Sequence, residues 1–336
     1  MRKLAVRYLF FNLLAIGIVS VTFFCNIETA IAAEWRLEPE LWLGYEIDDN
    51  AALTGNSNPK FEIQGYIVEG AAALGYATQR TTFDITPRLR SRNYHGETDA
   101  IFDSDDYFLR INFGHKGVKS TFRIRADYGD ESIRTAERTV ADSDVSDPDE
   151  IPGDETGRVF SLDRREMIRV LPHWDYKFSE KSALAADAML KDVDYEDARI
   201  GSLVPYSDIR LRVTLSHNFS RINKAYIRAS ARSYEPENPL AIASVDVDGV
   251  ALSAGIEHRF SETARIRAEI GVEESEPAGR DSDQNAIWDV SFVKNAQTMT
   301  LLAQYKRNII SSGNGFLSER DSLNFSLRRS FSERFT

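Results

Sequence analysis

Arginine recurs at alternate positions in several stretches of this 336-residue sequence. Alternate residues of an extended strand point to one face of a sheet, so these arginines would place their guanidinium groups together. A guanidinium is always charged and pairs bidentately with a carboxylate or a phosphate. The pattern therefore predicts an anion path along one face of a sheet. Its twelve arginines are Arg88, Arg90, Arg92, Arg110, Arg123, Arg125, Arg210, Arg212, Arg228, Arg232, Arg265 and Arg267, and Arg169, Lys306 and Arg328 share their parity.

Acidic residues of the same parity offer a second interpretation. They are fewer than the cations, and they would pair with the arginines across the same face. The arginines would then stiffen a wall rather than guide an anion, because polar interiors are normal in membrane barrels. The sequence leaves both interpretations open. The acidic residues are Glu38, Glu40, Glu46, Asp84, Asp127, Asp187, Asp208, Glu257 and Glu269.

The five histidines and the single cysteine form no catalytic or metal-binding motif. Cys25 lies at the end of an apolar N-terminal run, so no thiolate site is expected. His173, His217 and His258 fall near predicted strand ends, and the last two flank repeated aromatic residues, which favours an interface role. A hydrolase needs a histidine, a nucleophile and an orienting group at one rim, whereas His95 has Asp99 and Asp103 nearby in sequence and nothing more specific. We therefore expect no enzyme activity, no cofactor and no metal site.

A short phrase of an aromatic residue, a serine and a charged residue returns along the chain. It reads "FSEK" at 178, "FSRI" at 219, "FSET" at 260 and "FSER" at 331, with the first three aromatics 41 residues apart. Each aromatic shares the parity of the apolar file before it. Rings at one end of every second strand are typical of a girdle at a membrane interface, where amphipathic rings settle. The predicted girdle consists of Tyr76, Phe113, Phe178, Phe219, Phe260, Phe292 and Phe331.

A period of two residues runs through the chain and predicts strands. Ile209, Leu211 and Val213, for example, alternate with Arg210 and Arg212. Such alternation indicates a half-buried strand rather than a helix. The spacing of the repeated phrases fits antiparallel hairpins with one short and one long connection. Fourteen strands are predicted, at 35–47, 64–77, 82–94, 107–116, 119–128, 165–178, 182–193, 207–219, 224–234, 248–260, 263–273, 285–293, 298–308 and 320–331.

These strands favour an all-β fold, a closed antiparallel transmembrane β-barrel over residues 34–336. After the N-terminal run no stretch approaches the roughly 20 apolar residues of a spanning helix, yet 42% of residues are hydrophobic. Lipid cannot satisfy an unpaired strand edge, and an even strand number fits a single-chain bacterial barrel. A periplasmic sandwich or solenoid would also alternate, but it would not explain aromatics at one end of each apolar file.

The N-terminus has the layout of a secretory signal peptide. Arg2, Lys3 and Arg7 precede an apolar run over 8–24, and the small residues Ala30 and Ala32 follow. We expect residues 1–33 to be removed by cleavage and the remaining chain to reach the outer membrane, where lipid and lipopolysaccharide surround it. An uncleaved anchor helix is the alternative.

The predicted connection over 129–164 is strongly acidic. Its first part, 129–158, carries ten acidic residues against three arginines. Their spacing matches no known calcium loop, so a solvated loop is favoured over a calcium site. The net charge of the chain, −11, argues against a nucleic-acid partner.

The stretches "LEPELWLGYEIDDNA" and "FDSDDYFLRINFGHKG" and the returning "FSE" turns resemble porin-like outer-membrane barrels associated with exopolysaccharide gene clusters in proteobacteria. The likeness covers most of the chain after the leader. It implies the barrel fold and a role in secreting polysaccharide together with a secretion machinery, without catalytic residues. Such chains usually end in a closing strand with a terminal aromatic, whereas this sequence runs a little beyond Phe331.

The expected function is therefore a porin-like channel, a conduit for acidic exopolysaccharide or other anionic solutes. One alternative is a non-conducting structural or adhesive barrel that binds a surface partner through its acidic loops, and a more distant one is a loop-borne membrane hydrolase. The closing "FSERFT" repeats a turn phrase that elsewhere precedes a rising strand. If the chain is a fragment, 16 to 18 strands are expected.

Overall fold

The fold is one antiparallel sheet of fourteen strands. It is seen in a computed structural model that describes residues 33–48, 62–95, 103–132, 164–196, 203–237, 245–311, 313 and 315–329. Within these ranges there is no helix, and so none that could span a membrane. The strands are β1 (Glu34–Asp48), β2 (Ile63–Ala77), β3 (Thr81–His95), β4 (Ser104–Lys116), β5 (Ser120–Ser132), β6 (Arg164–Lys177), β7 (Ser182–Tyr195), β8 (Tyr206–Asn218), β9 (Asn223–Pro236), β10 (Val247–Arg259), β11 (Ala264–Pro277), β12 (Asp283–Ala296), β13 (Met299–Ser311) and β14 (Leu317–Arg329).

The fourteen predicted strands and their antiparallel order are confirmed. The boundaries lie within three residues of the predicted ones except at the ends of β5 and β11, which each lie four residues later than predicted; β4 begins three residues earlier. The apolar file of β4 stops at the polar Asp105, which hid this extension from the sequence pattern. Asp105 accepts a hydrogen bond from Ser91 Oγ at 2.6 Å, and Asp106 accepts one from the Ser132 amide at 2.9 Å. Polar side chains therefore hold together the part of the ladder that lacks apolar alternation.

The two faces of the sheet differ as the period of two predicts. On β8 the apolar residues Ile209, Leu211 and Val213 are exposed, whereas Arg210 and Arg212 between them are partly covered. The same contrast holds along most of the sheet, so its outer face is a broad exposed apolar surface. Surfaces of this size mark contact with a partner or a membrane. We call the opposite, polar face the inner face.

The strands are joined by short turns at one end of the sheet and by long connections at the other, which we call the turn end and the loop end. The turns explain the repeated phrase. Ser179 Oγ accepts hydrogen bonds from the amides of Lys181 at 3.2 Å and Ser182 at 2.9 Å, and Ser220 Oγ does the same for Ile222 and Asn223. A serine at this position closes a tight turn with its own side chain.

The predicted girdle residues lie at the turn end where they are described. Phe219 and Phe260 follow directly on β8 and β10, are exposed on the outer face, and contact His217 and His258 at ring distances of 5.1 and 4.7 Å. Phe331 lies outside the described residues. The interface role of the set stays a prediction. Tyr76, Phe113 and Phe292 lie within β2, β4 and β12, and Phe178 follows β6.

The two outermost strands, β1 and β14, each have one paired edge. Every other strand is hydrogen-bonded on both sides, and no ladder joins β1 to β14 in the part of the chain that the structure describes. The predicted closure of the barrel is therefore not seen and stays a prediction.

Candidate functional site

The inner face surrounds a cavity, which we call the lumen. Residues from β3 to β12 line its wider part, of about 820 Å³, and residues from β7 to β13 line a narrower part of about 170 Å³. A sheet whose distant strands border one cavity must curve around it. The polar residues of each strand therefore face inward, as the alternating arginines of the sequence predict.

A fully buried carboxylate holds two of the predicted arginines beside the narrow part of the lumen. Asp208 on β8 accepts from Arg210 Nη2 at 2.9 Å, and Arg232 on β9 donates Nε and Nη2 to its two oxygens at 3.0 and 2.9 Å. Arg232 Nη1 also donates to the carbonyl of Ile309 on β13 at 3.2 Å. Because β9 and β13 are not neighbours in the sheet, this bond ties two separate parts of the wall. We call Asp208, Arg210 and Arg232 the Asp208 cluster.

An apolar layer lies on the loop-end side of the Asp208 cluster. The rings of Tyr206 and Tyr234 are 5.4 Å apart, and both side chains are fully buried. The Val204 amide donates to the carbonyl of Gly313 at 2.6 Å, which brings the β13–β14 connection against the layer. Protein therefore fills the loop end of this part of the lumen. The buried members of this loop-end layer are Val193, Tyr195, Leu203, Tyr206, Tyr234 and Val247.

Three arginines share one carboxylate on β5. Asp127 on β5 accepts from Arg110 at 2.9 Å, from Arg125 at 2.9 Å and from Arg169 at 3.0 Å. The Arg169 side chain is buried, whereas that of Arg110 is 53% exposed. One carboxylate thus accepts from three guanidinium groups.

The three alternate arginines of β3 are paired with acidic residues of neighbouring strands. Glu69 on β2 lies 3.5 Å from Arg88 and 2.5 Å from Arg90. Arg92 lies 3.0 Å from Asp106 on β4. The sequence pattern did not single out either acid, because Glu69 lies in a stretch rich in small residues and Asp106 lies outside the predicted strand.

A chain of charged groups crosses four strands from β5 to β8. His173 on β6 lies 2.6 Å from Asp187 through Nδ1 and 2.6 Å from Asp175 through Nε2. Arg212 donates to Asp187 at 3.2 Å, and Arg123 lies 3.8 Å from Asp175. The sequence placed His173 near a strand end and gave it no lumen role. Along β6, His173 has the same parity as the inner-face residues, and this signal could have predicted its position in the lumen.

Buried acids also hold Arg228 on β9 and Arg267 on β11. Glu269 accepts from Arg228 at 2.7 Å and from the Tyr226 hydroxyl at 2.9 Å. Arg267 lies 3.2 Å from Asp289 on β12. These contacts surround the narrow part of the lumen together with the Asp208 cluster.

Three cations near the turn end of the lumen are held weakly or not at all. Lys224 on β9 and Arg265 on β11 form no ion pair with any described residue, and Arg123 is 61% exposed with its acid at 3.8 Å. All three line the wide cavity. We call Arg123, Lys224 and Arg265 the turn-end vestibule. An uncompensated positive charge in a cleft attracts anions, because low-dielectric walls focus the field.

The twelve predicted arginines thus fall into two groups. Ten of them lie within 3.5 Å of a carboxylate, which is the arrangement that the wall interpretation expects. Arg123 and Arg265 do not. Any anion path should therefore depend most on these two and on Lys224, which the sequence pattern did not single out.

Two further histidines contact polar side chains at the turn end. His217 lies 2.8 Å from Ser182 Oγ, and His258 lies 2.7 Å from the Asn223 side chain, both at the turn end. Across the described ranges no three histidine, cysteine or acidic residues are grouped to hold a metal ion. Most of the acidic connection, 133–163, lies outside the described residues.

Comparison with solved structures supports the fold. A bacterial polysaccharide outer membrane secretin is similar with a TM-score of 0.51 and 10% identity, over 89% of this chain and 98% of that chain. An outer membrane channel from Pseudomonas putida F1 matches with a TM-score of 0.40 and 10% identity, over 80% and 96% of the two chains. A mutant of the TodX monoaromatic hydrocarbon channel matches with a TM-score of 0.38 and 10% identity, over 89% and 90%. No protein-family model and no curated protein match the sequence. At this identity the first likeness shows the fold alone, that of an outer-membrane protein.

Proposed function

We propose that the chain is an outer-membrane β-barrel that closes β1 on β14 and conducts anionic solutes, with acidic exopolysaccharide as the intended substrate class. Three features support this: the exposed apolar outer face, the polar lumen, and the shared fold with a polysaccharide outer membrane secretin. Outer-membrane lipid and lipopolysaccharide would cover the apolar face. Residues 1–33 form the proposed signal peptide, of which 1–32 lie outside the described residues.

The turn-end vestibule is the main support for the proposal that the substrate is anionic. Its three cations face a cavity of about 820 Å³ and have weak partners or none, so they can bind carboxylates or phosphates of a passing chain. A buried paired arginine such as Arg232 already directs its donors at protein oxygens and is less available to a solute.

The expected orientation of the barrel in the membrane suggests a direction of transport. Single-chain outer-membrane barrels place their short turns in the periplasm and their long loops outside. The vestibule would then open to the periplasm, while the loop-end layer narrows the outer side. An anionic polymer that leaves the cell would meet the exposed cations first, so we propose export rather than uptake.

Single-channel recording tests this function on the whole protein in planar bilayers. We expect conductance with a preference for chloride over potassium, measured as the reversal potential in a salt gradient. An acidic sugar oligomer added at the turn end should block the current at lower concentration than the same oligomer added at the loop end, whereas neutral dextran of equal length should show no such preference. A cation preference, or equal block by the acidic and neutral chains, would contradict the proposal.

A non-conducting structural barrel is the second candidate, and one observation favours it. The Asp208 cluster and the loop-end layer fill part of the lumen with buried, mutually bonded side chains. If the folded protein carries no current in either orientation, the structural role replaces the conduit, and the acidic connections become the place to search for a surface partner. We propose no enzyme activity, cofactor or metal.

A further inference from the structure

The strand β1 is exposed on both faces along most of its length, whereas β14 is exposed on its outer face and partly covered on its inner face. On β1 the inner-face residues Glu38 and Trp42 are 62% and 50% exposed, and on β14 the outer-face Leu323 is 79% exposed. Each strand has one edge whose backbone groups bond to no other described strand. Lipid offers no hydrogen bonds to such an edge. Something must therefore pair with both edges in a membrane.

We propose that β14 pairs with β1 in one particular antiparallel register, with Arg328 opposite Glu38 and Arg320 opposite Glu46. This inference rests on the closed barrel proposed above and adds to it a defined seam. The two strands run in opposite directions because their number is even, so antiparallel pairing needs no further change of topology.

The thirteen observed ladders restrict the register. When the registers of the ladders are continued from strand to strand, the row of facing residues that begins at Trp35, near the turn end of β1, reaches Leu317, at the loop end of β14. In a closed barrel the row continues from β14 to β1 and meets β1 at a residue nearer the loop end than Trp35. The number of residues between Trp35 and that residue is the shift, and the tilt of the strands determines it. Fourteen strands about 4.8 Å apart, with a rise of about 3.4 Å and a tilt of about 35–45°, require a shift of about 14 to 20 residues.

The pleat and the charges narrow this range. A slip of one residue would turn the polar face of β14 outward, so only even shifts remain. A shift of about 14 places Arg328 opposite Glu38, a shift of about 16 places it opposite Glu40, and larger shifts place it opposite Trp42 or Gly44, which carry no charge. Opposite charges on facing residues stabilise a pair of strands. The charges therefore favour the two smaller shifts.

The length of the ladder decides between these two. The observed strands slip past one another by about one residue per strand, which for fourteen strands matches the smaller shift. That shift pairs nearly all of β14 with β1, whereas the larger one leaves two more residues of each strand without a partner. In the smaller shift Ser326 lies opposite Glu40, and in the larger it lies opposite Trp42.

Disulfide crosslinking tests the seam, since Cys25 is the sole cysteine of the chain. In a full-length Cys25→Ser background, Ser326→Cys is combined in turn with Glu38→Cys, Glu40→Cys and Trp42→Cys. Facing residues of antiparallel strands lie within disulfide distance, and a partner two residues away does not. We expect at least about fivefold more intramolecular disulfide with Glu40→Cys than with either comparison, measured by gel mobility without reductant on folded protein in membranes.

Three results would overturn the seam. The highest yield with Trp42→Cys or Glu38→Cys would show another register, crosslinked dimers would show that a second copy covers the edge, and no disulfide in any pair of the folded protein would show that β1 and β14 are not neighbours. The same proteins, reduced, are recorded in bilayers. Anion conduction with another register contradicts the seam only, whereas the expected disulfide without conduction contradicts the proposed function only.

Discussion

The Asp208 cluster and the turn-end vestibule use the same residue type on the same face of one sheet, and they differ in what surrounds it. Arg232 is buried and bonded to both oxygens of Asp208, whereas Arg265 forms no ion pair with any described residue. The first arrangement fixes the wall, and the second leaves charge available to a solute. The parity of an arginine along its strand therefore predicts which face of the sheet it occupies. The position of the nearest carboxylate determines whether it stabilises the wall or remains available to a solute.

The largest effect should follow from removing the carboxylate of the cluster. Asp208→Ala leaves two arginines, one of them buried, without their shared counter-charge, and breaking a buried ion pair in this way costs about 3–5 kcal/mol. We expect a corresponding loss in the free energy of unfolding, measured by urea titration of the folded barrel in detergent.

The matched control for this variant is Asp84→Ala. Asp84 also pairs with an arginine, Arg36, at 3.2 Å on the inner face, but the two side chains are 33% and 55% exposed. Exposed pairs contribute little, so stability should hardly change. Equal losses in the two variants would show that burial does not distinguish the Asp208 cluster.

The loop-end layer should show the next largest effect. Tyr234→Ala removes a fully buried ring that packs on Tyr206, and truncating a buried aromatic costs about 3 kcal/mol or more. Tyr234→Phe keeps the ring and is the control. If the layer narrows the lumen, Tyr234→Ala should also raise single-channel conductance, and unchanged conductance would show that the current passes elsewhere.

A smaller and graded effect is expected at Asp127, where three arginines share one carboxylate. Arg110→Ala removes an exposed partner and leaves two others in place, so the loss of stability should stay below about 1 kcal/mol. Arg169→Ala removes the buried partner and should cost more, about 1.5–3 kcal/mol for a charged hydrogen bond. Equal losses of unfolding free energy in the two variants, measured by urea titration, would show that the exposure of an arginine does not determine its contribution to stability.

The fold could be predicted almost completely from the sequence. Period-two alternation and recurrent turn phrases gave all fourteen strands and their antiparallel order, because every strand is amphipathic and pairs with its chain neighbour. Alternation failed at the loop end of β4, where the polar Asp105 interrupts the apolar file. Closure is a property of two strands far apart in sequence, and no local pattern specifies their register.

The candidate site could be predicted less well. The parity of Arg210 and Arg232 placed both in the lumen, but the role of an arginine depends on partners that come from other strands. Arg232 reaches β13 across the lumen, which a strand-by-strand reading cannot foresee. Lys224 shares the parity of Arg228 and Arg232 on β9, but it went unnoticed because it lies at the first position of the predicted strand, beside the turn.

The most direct test compares charge reversal in the vestibule with the same reversal outside the lumen. The double variant Arg265→Glu and Lys224→Glu places two negative charges where the exposed cations stood, and Arg280→Glu makes one such change in the exposed β11–β12 connection. The account predicts that the chloride preference, measured as the reversal potential in a salt gradient, falls at least about threefold in the double variant and stays unchanged in Arg280→Glu. An unchanged preference in the double variant would contradict the claim that the vestibule selects the solute.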